Sequence, residues 1–268
     1  LQSFGKEADD RKDGIKLRIF IGWDSRFPEP ADVLRYSLLK HATVELDIRY
    51  LKLSELGLDR EHDPLASTEF TYSRFLVPHL CGFQGRALFL DNDMLVFGDV
   101  RELVELPMES HALRVVQHDY QPTNAVKMYG CPQTAYPRKN WSSVMLMNCS
   151  KLHLWSKQVV ETQTGAYLHR FQDIPDEQIG ELSPDWNRLD VMDDSTRLIH
   201  YTNGGPWFED YLDHPHAQIW FQYRDEMRAA QATDALVRQS RPRFSAPHVM
   251  DHGSLPLRGD LPIRGETL

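Results

Sequence analysis

The sequence predicts an α/β fold centred on one main domain, and three observations carry that reading. β-rich runs alternate with helically spaced apolar residues over about the first hundred positions. Residues Arg86-Ala87-Leu88-Phe89-Leu90 form a run of the continuously apolar kind found in strands buried on both faces of a parallel sheet. The chain has 268 residues, 41% of them hydrophobic, which is enough to bury a substantial core.

Residues 17–22, Leu-Arg-Ile-Phe-Ile-Gly, read as a first strand that gives way to a loop at Trp23-Asp24. Pro28 and Pro30 suit the start of a helix over 31–41, where Val33, Leu34, Ser37 and Leu38 recur at helical spacing. A second strand is expected over 46–53, and a second helix over 69–80 with Tyr72, Phe75, Leu76 and Leu80 on one side. Gly82 and Gly85 end that pattern before the strand at 86–90, and Met94-Leu95-Val96-Phe97 follows as a further apolar run. Strands are also expected over 113–117 and 143–148, separated by a long loop from Gln121 to Asn140. Helices are expected over 152–160 and 217–230, the latter with Trp220, Tyr223 and Met227 on one side, and a short strand over 197–200. Beyond Arg241 the composition of Pro, Gly, His and Arg reads as an irregular tail. The expected organisation is an N-terminal extension at 1–16, a catalytic domain at 17–240 and a tail at 241–268.

Thirty basic residues stand against 39 acidic ones, for a formal charge of −9. That balance opposes a broad nucleic-acid or anionic-membrane footprint, so a small anionic substrate needs a local basic pocket or a metal. Cys81, Cys131 and Cys149 form no CxxC pair and no even-numbered framework, which points to a reducing, cytoplasmic setting. Asn140 and Asn148 begin glycosylation tripeptides that carry weight only in a secreted chain. No run approaches the roughly 18 apolar residues of a membrane span. The first residue is Leu, as in a processed chain or a part of a longer one.

The chemistry concentrates at Asp91-Asn92-Asp93, which follows the apolar strand directly. Open α/β sheets place their ligands at the carboxyl ends of strands. Two carboxylates there suit Mg²⁺ or Mn²⁺, which retain open positions for diphosphate oxygens. A bare D-x-D is also a common cap or turn, and it is the position that favours metal.

The segment Phe89-Leu90-Asp91-Asn92-Asp93-Met94-Leu95-Val96 resembles the D-x-D segment of family 8 glycosyltransferases and related A-type glycosyltransferases. Other landmarks follow in the family's order. Thr71-Tyr72-Ser73-Arg74-Phe75 is similar to its helix ahead of the metal strand, and Ser143-Val144-Met145-Leu146-Met147-Asn148 to its Asn-terminated strand. Leu182-Ser183-Pro184-Asp185-Trp186-Asn187 is similar to Leu-Pro-x-x-Trp-Asn, and His200-Tyr201-Thr202-Asn203-Gly204-Gly205-Pro206-Trp207 to His-x-x-Gly-x-x-Lys-Pro-Trp. The resemblance spans about residues 17–210. It implies a Rossmann-like nucleotide-diphospho-sugar transferase fold with a mostly parallel central sheet flanked by helices. It also implies transfer of a hexose from a nucleotide-diphosphate sugar, with UDP the expected nucleotide, to a glycan or other hydroxyl acceptor with retention. His200 is then the third ligand of the cation beside Asp91 and Asp93.

The chain departs from the family at the lysine before Pro-Trp, where it carries Gly205 and is one residue shorter. A departing diphosphate still needs positive charge, and Arg74, Lys127, Arg138 and Lys139 are the candidates; each also reads as a solvated surface charge. Gly22, Asp24, Asn92, Gly204 and Trp207 are expected at the nucleotide sugar. Gly22 reads equally as a turn residue, Asp24 as a turn cap and Trp207 as core. On the acceptor side Asp173 is expected at the reacting sugar, with Asp176 aligned almost as well, and either also reads as a helix cap before 178–182. Two rival readings are a haloacid dehalogenase-like phosphatase, which lacks support from a Gly-Thr turn after the aspartates, and a nucleotide-sugar-binding homologue without turnover.

Overall fold

The computed structural model describes residues 17–61, 63, 66–119, 126–127, 131–132 and 136–240. The expected extension at 1–16 and tail at 241–268 lie outside these residues. Along the chain the strands are β1 (Leu17–Gly22), β2 (Leu46–Leu51), β3 (Arg86–Leu90), β4 (Met94–Val96), β5 (Leu113–Val115), β6 (Val126–Lys127), β7 (Cys131–Pro132), β8 (Val144–Asn148), β9 (Ile179–Glu181), β10 (Arg188–Leu189) and β11 (Leu198–His200). The helices are α1 (Glu29–His41), α2 (Leu53–Leu56), α3 (Val77–Leu80), α4 (Arg101–Val104), α5 (Lys157–Thr162), α6 (Gly165–His169) and α7 (Ala217–Ser240). A compact unit extends to Ala229, and a second unit begins at Ala230 within α7.

Six strands form the central sheet in the order β2-β1-β3-β8-β5-β9, and β8 alone runs against the others. Period-2 alternation sorts its central strands between two apolar layers. Phe20, Ala87, Phe89, Met145 and Met147 face one layer, with Phe75, Trp155 and Phe171. Ile19, Ile21, Leu88, Leu90, Val144 and Leu146 face the other, covered by Ala31, Leu34 and Leu38 of α1. Each such large side chain contributes on the order of 2 kcal/mol on burial, so the apolar runs at 17–22, 86–90 and 144–148 settle where the sheet's middle lies. A smaller sheet, β10-β11-β4, packs Leu95 and Ile199, with Tyr201 just after β11, against Trp220, Tyr223 and Met227 of α7.

Helix α1 begins two residues earlier than expected, with Pro30 in its first turn, acidic Glu29 and Asp32 near its N-terminus, and Lys40 and His41 in its last turn. The expected helix over 69–80 is divided. Residues 69–72 form turns, Ser73–Leu76 a 3₁₀ turn, and only Val77–Leu80 is α-helical. Pro78 lacks the N–H that would bond to the carbonyl of Arg74, and its ring crowds that carbonyl, so the α-helix begins at Val77 with Pro78 in its first turn instead of running through from the residues before. The expected helix over 152–160 starts instead at Lys157, because Ser156 takes the N-cap position and accepts from the Val159 amide. No helix runs over 178–182: Gln178 ends the 3₁₀ turn Asp176–Gln178, and Ile179–Glu181 is an edge strand parallel to β5. Helix α7 runs past 230 to Ser240 through an Ala-rich, propensity-favoured segment. Among the described residues no helix is long and apolar enough to cross a membrane.

Candidate active site

Strand β3 ends at Leu90 and β4 begins at Met94, so Asp91-Asn92-Asp93 is the turn that carries the chain from the central sheet to the smaller one. Strand β11 pairs antiparallel with β4, placing His200 opposite Met94, and the Tyr201 amide donates to the Asp93 carbonyl at 2.9 Å. This register brings together residues far apart in sequence. His200 Nε2 lies 3.1 Å from Asp93 Oδ1 and 3.9 Å from Asp91 Oδ2. One ligand atom from each of the three residues falls within 4.8 Å of the others, and Asp93 and His200 are buried. Burial opposes the charged imidazolium, but the carboxylates of Asp93 and Asp91 outweigh it and raise the proton affinity of His200.

Two carboxylates and an imidazole nitrogen at this spacing form a donor set for a divalent cation. The carboxylates suit Mg²⁺ and Mn²⁺ alike, and the imidazole shifts the preference towards the transition metal. The fit extends behind the ligands. His200 Nδ1 meets Asn187 Oδ1 at 3.0 Å, so the ring is held with Nε2 towards the carboxylates. Arg74 approaches Asp91 from the other side, its Nη1 at 2.8 Å from Oδ1, and donates to the Ser142 carbonyl at 3.0 Å. The 3₁₀ turn before Pro78 carries Arg74 to this place, and the guanidinium partly neutralises the acidic pair.

A cavity of about 560 Å³ opens on Asp91, Asp93 and His200, and Arg74, Lys139, Tyr136, His169, Arg170 and Thr202 are also at its wall. Of the four cations weighed against the missing lysine, Arg74 and Lys139 are therefore at the cavity. The Lys139 ammonium sits 5.4 Å from the centre of the Tyr136 ring. Arg138, although adjacent in sequence, has φ of 62° and turns elsewhere: it pairs with the Asp176 carboxylate and donates to the carbonyls of Arg170 and Phe171. The Lys127 side chain lies outside the described residues.

Asp173 and Asp176 are not brought to the acidic cluster. They line, with Arg138, an open surface depression of about 670 Å³ that meets the cavity at Arg170. Asp176 belongs to a 3₁₀ turn leading into β9, so neither it nor Asp173 caps the helix expected after them. Asp24 is 4% exposed and bonded to the Arg26 backbone and guanidinium, the turn-cap alternative for that residue. At Gly22 the close approach comes from the Phe70 ring, which would lie 2.5 Å from an added Cβ. Asn92 is buried in the turn between the two aspartates. Gly204 has φ of 143° with the Tyr211 ring against it. Trp207 packs on Tyr201 and Trp220, with ring centres 5.9 and 5.2 Å away, as core aromatics do. Sequence reasoning passed over His169 and Tyr136 at the cavity wall and assigned no role to Asn187. His169 and Tyr136 carry no motif, whereas Asn187 stood inside a named segment.

The profile of glycosyl transferase family 8 matches residues 19–172, more than half of the chain, including Asp91, Asp93 and Lys139. The protein CDI of Arabidopsis thaliana is 43% identical over 224 residues, covering 78% of this chain and 86% of that protein. Glycosyltransferase GlyE of Streptococcus pneumoniae TIGR4 superposes with a TM-score of 0.53 at 15% identity, over 82% of this chain and 64% of its own length. The galactosyltransferase LgtC, solved with donor and acceptor sugar analogues, superposes with a TM-score of 0.50 at 13% identity, over 78% of this chain and 96% of its own. The two solved structures are similar in fold.

Proposed function

Because the chain belongs to glycosyl transferase family 8, we propose that it transfers a hexose from a UDP-sugar to a hydroxyl acceptor, with Asp91, Asp93 and His200 holding a Mn²⁺ or Mg²⁺ ion. One observation carries this reading: the two carboxylates and the imidazole share a cavity wall with Arg74 and Lys139, so sites for a cation and for an anion adjoin. The catalytic domain is taken as residues 17–240. A phosphatase reading has no support from the family match, and Asp91 is engaged by Arg74 rather than presented as a nucleophile.

In this scheme Asp91, Asp93 and His200 would hold the cation, which would supply positive charge for the donor's diphosphate. Lys139, at the same cavity wall, is assigned to meet the leaving diphosphate in the role left open by Gly205, while Arg74 balances Asp91. The acceptor approaches from the side of Arg170, where the depression lined by Asp173 and Asp176 adjoins the cavity. With retention, the acceptor hydroxyl attacks the anomeric carbon on the face from which the diphosphate departs. The new C–O bond forms as the bond to phosphate oxygen breaks, and the hydroxyl proton passes to the diphosphate. No carboxylate base is then required.

A thermal-shift panel of nucleotide sugars tests the donor class: UDP-sugars are expected to stabilise the protein with Mn²⁺ and to have little effect with chelator. Stabilisation of about 2.7 kcal/mol is expected at a hundredfold excess over Kd. Response to another nucleotide alone would reassign the donor, and no response to any would remove the transferase reading. Lys139→Ala separates the roles of the cations. Removing a charge that acts on the leaving group is expected to lower the turnover of donor hydrolysis by about 100-fold while UDP affinity changes far less. Wild-type turnover in that variant would exclude Lys139 from the chemistry.

A further inference from the structure

Ser143 ends a 3₁₀ turn just before β8 and is 2% exposed. Its hydroxyl donates to the Asn140 carbonyl at 2.7 Å, an acceptor that can return no proton. The same oxygen is 2.8 Å from the Asn187 side chain. With its single proton committed to Asn140, Ser143 Oγ can only accept there, so the Asn187 NH₂ faces Ser143 and the amide oxygen faces His200. That oxygen, 3.0 Å from His200 Nδ1, must in turn accept. His200 thus has a fixed acceptor at Nδ1, while Nε2, 3.1 Å from Asp93 Oδ1 and 3.9 Å from Asp91 Oδ2, is the nitrogen that faces the carboxylates; with a cation at Nε2, the ring proton would sit on Nδ1 and be donated to Asn187.

We infer that Asn187 is a positioning residue that fixes the direction of His200 for cation binding and accepts its Nδ1 proton, its own orientation being set by Ser143. Asn187 is 1% exposed and His200 3%, so the bond between them is shielded from bulk solvent. Ser143 also accepts the Asp91 amide on its carbonyl at 3.0 Å, so one residue braces both a carboxylate ligand and the imidazole ligand. The far end of the relay is Asn140, held at φ of 66° beside Lys139, which ties the segment carrying Lys139 to the ligand set. A free imidazole divides its proton between both nitrogens, and whenever Nε2 is protonated it cannot ligate. A fixed acceptor at Nδ1 favours the form whose Nε2 is free to ligate.

The inference rests on the proposed role of His200, and its readout, Mn²⁺ affinity by electron paramagnetic resonance, needs no donor. Asn187→Ala is expected to bind about 10- to 100-fold more weakly, the usual effect of losing a partner behind a metal-bound histidine. Asn187→Asp keeps an acceptor at Nδ1 and is expected to bind Mn²⁺ close to the wild type, a rescue that a loss of packing alone would not give. Ser143→Ala leaves Asn187 in place but frees the amide to rotate and is expected to weaken binding too, so it provides a second variant if Asn187→Ala does not fold. Unchanged Mn²⁺ affinity in Asn187→Ala and Ser143→Ala, or an Asn187→Asp protein as weak as Asn187→Ala, would overturn the inference. A wild-type protein with no Mn²⁺ affinity would instead overturn the metal reading on which it rests.

Discussion

Asp93→Asn is expected to abolish the cation-dependent part of UDP-sugar binding and to reduce donor hydrolysis by two or more orders of magnitude. The Asp91 and Asp93 carboxylates stand at a site that must also receive a diphosphate. Like charges about 4 Å apart cost about 4 kcal/mol at the effective dielectric of a protein surface, and a bridging cation reverses the sign of that interaction. Asn at 93 removes one charged ligand while retaining the shape of the turn, and its amide can still meet His200 Nε2, now 3.1 Å from Asp93 Oδ1. The fold should therefore survive. In the wild type, a hundredfold excess of donor with Mn²⁺ is worth about 2.7 kcal/mol, which raises Tm by about 5–10 °C for a domain near 200 residues. In Asp93→Asn that rise should shrink to the value seen in chelator. Equal donor stabilisation of the wild type with and without chelator would end the metal-dependent reading.

What could be read in the sequence follows from the range of the forces involved. The strand at 86–90 and its terminal Asp91-Asn92-Asp93 were legible because burial on both faces demands an unbroken apolar run, and the chain's exit from such a run is a ligand position. The same holds for the buried face of α1, where Val33, Leu34, Ser37 and Leu38 repeat at helical spacing. The division of 69–80 was legible in principle, since Pro78 alone forbids the longer helix, but the apolar spacing of Tyr72, Phe75 and Leu76 masked it. Edge strand β9 left little trace, because three residues containing Gly180 have too short a pattern to distinguish from a helix start.

Within the site, His200 was placed by resemblance, and its physical cause is a strand register that no local pattern encodes: β11 pairs with β4 so that His200 falls beside Asp93. The cations show the limit most clearly. Arg138 and Lys139 are neighbours and were indistinguishable as charges, yet the left-handed backbone at Arg138 sends its guanidinium to Asp176 while Lys139 reaches the cavity wall. The hydroxyl and amide of Ser143 and Asn187 are ordinary polar residues until the fold brings them together behind His200.

Arg74 is expected to be the largest single contributor to stability at the site, and a double variant separates that role from cation binding. Its ion pair with Asp91 is 2.8 Å long between side chains 7% and 13% exposed, so it is largely removed from solvent. The guanidinium also donates to the Ser142 and Phe70 carbonyls, bracing the turn before β8 against the segment before α3. Breaking a buried pair by removing one partner leaves the other charge uncompensated and costs about 3–5 kcal/mol. Arg74→Met should therefore lower stability by that amount, measured by urea unfolding in chelator. Saturating Mn²⁺ should restore part of the loss in Arg74→Met, because the cation can balance Asp91 from the other side. Replacing both partners with apolar residues avoids the stranded charge, so Arg74→Met with Asp91→Leu should recover most of the stability lost in the single variant. That double variant should gain nothing from Mn²⁺, since one carboxylate ligand is gone. A double variant as unstable as Arg74→Met alone would show that Arg74 acts through packing and its carbonyl bonds, not through Asp91. An Arg74→Met protein as stable as the wild type would show that the buried pair carries no net stability.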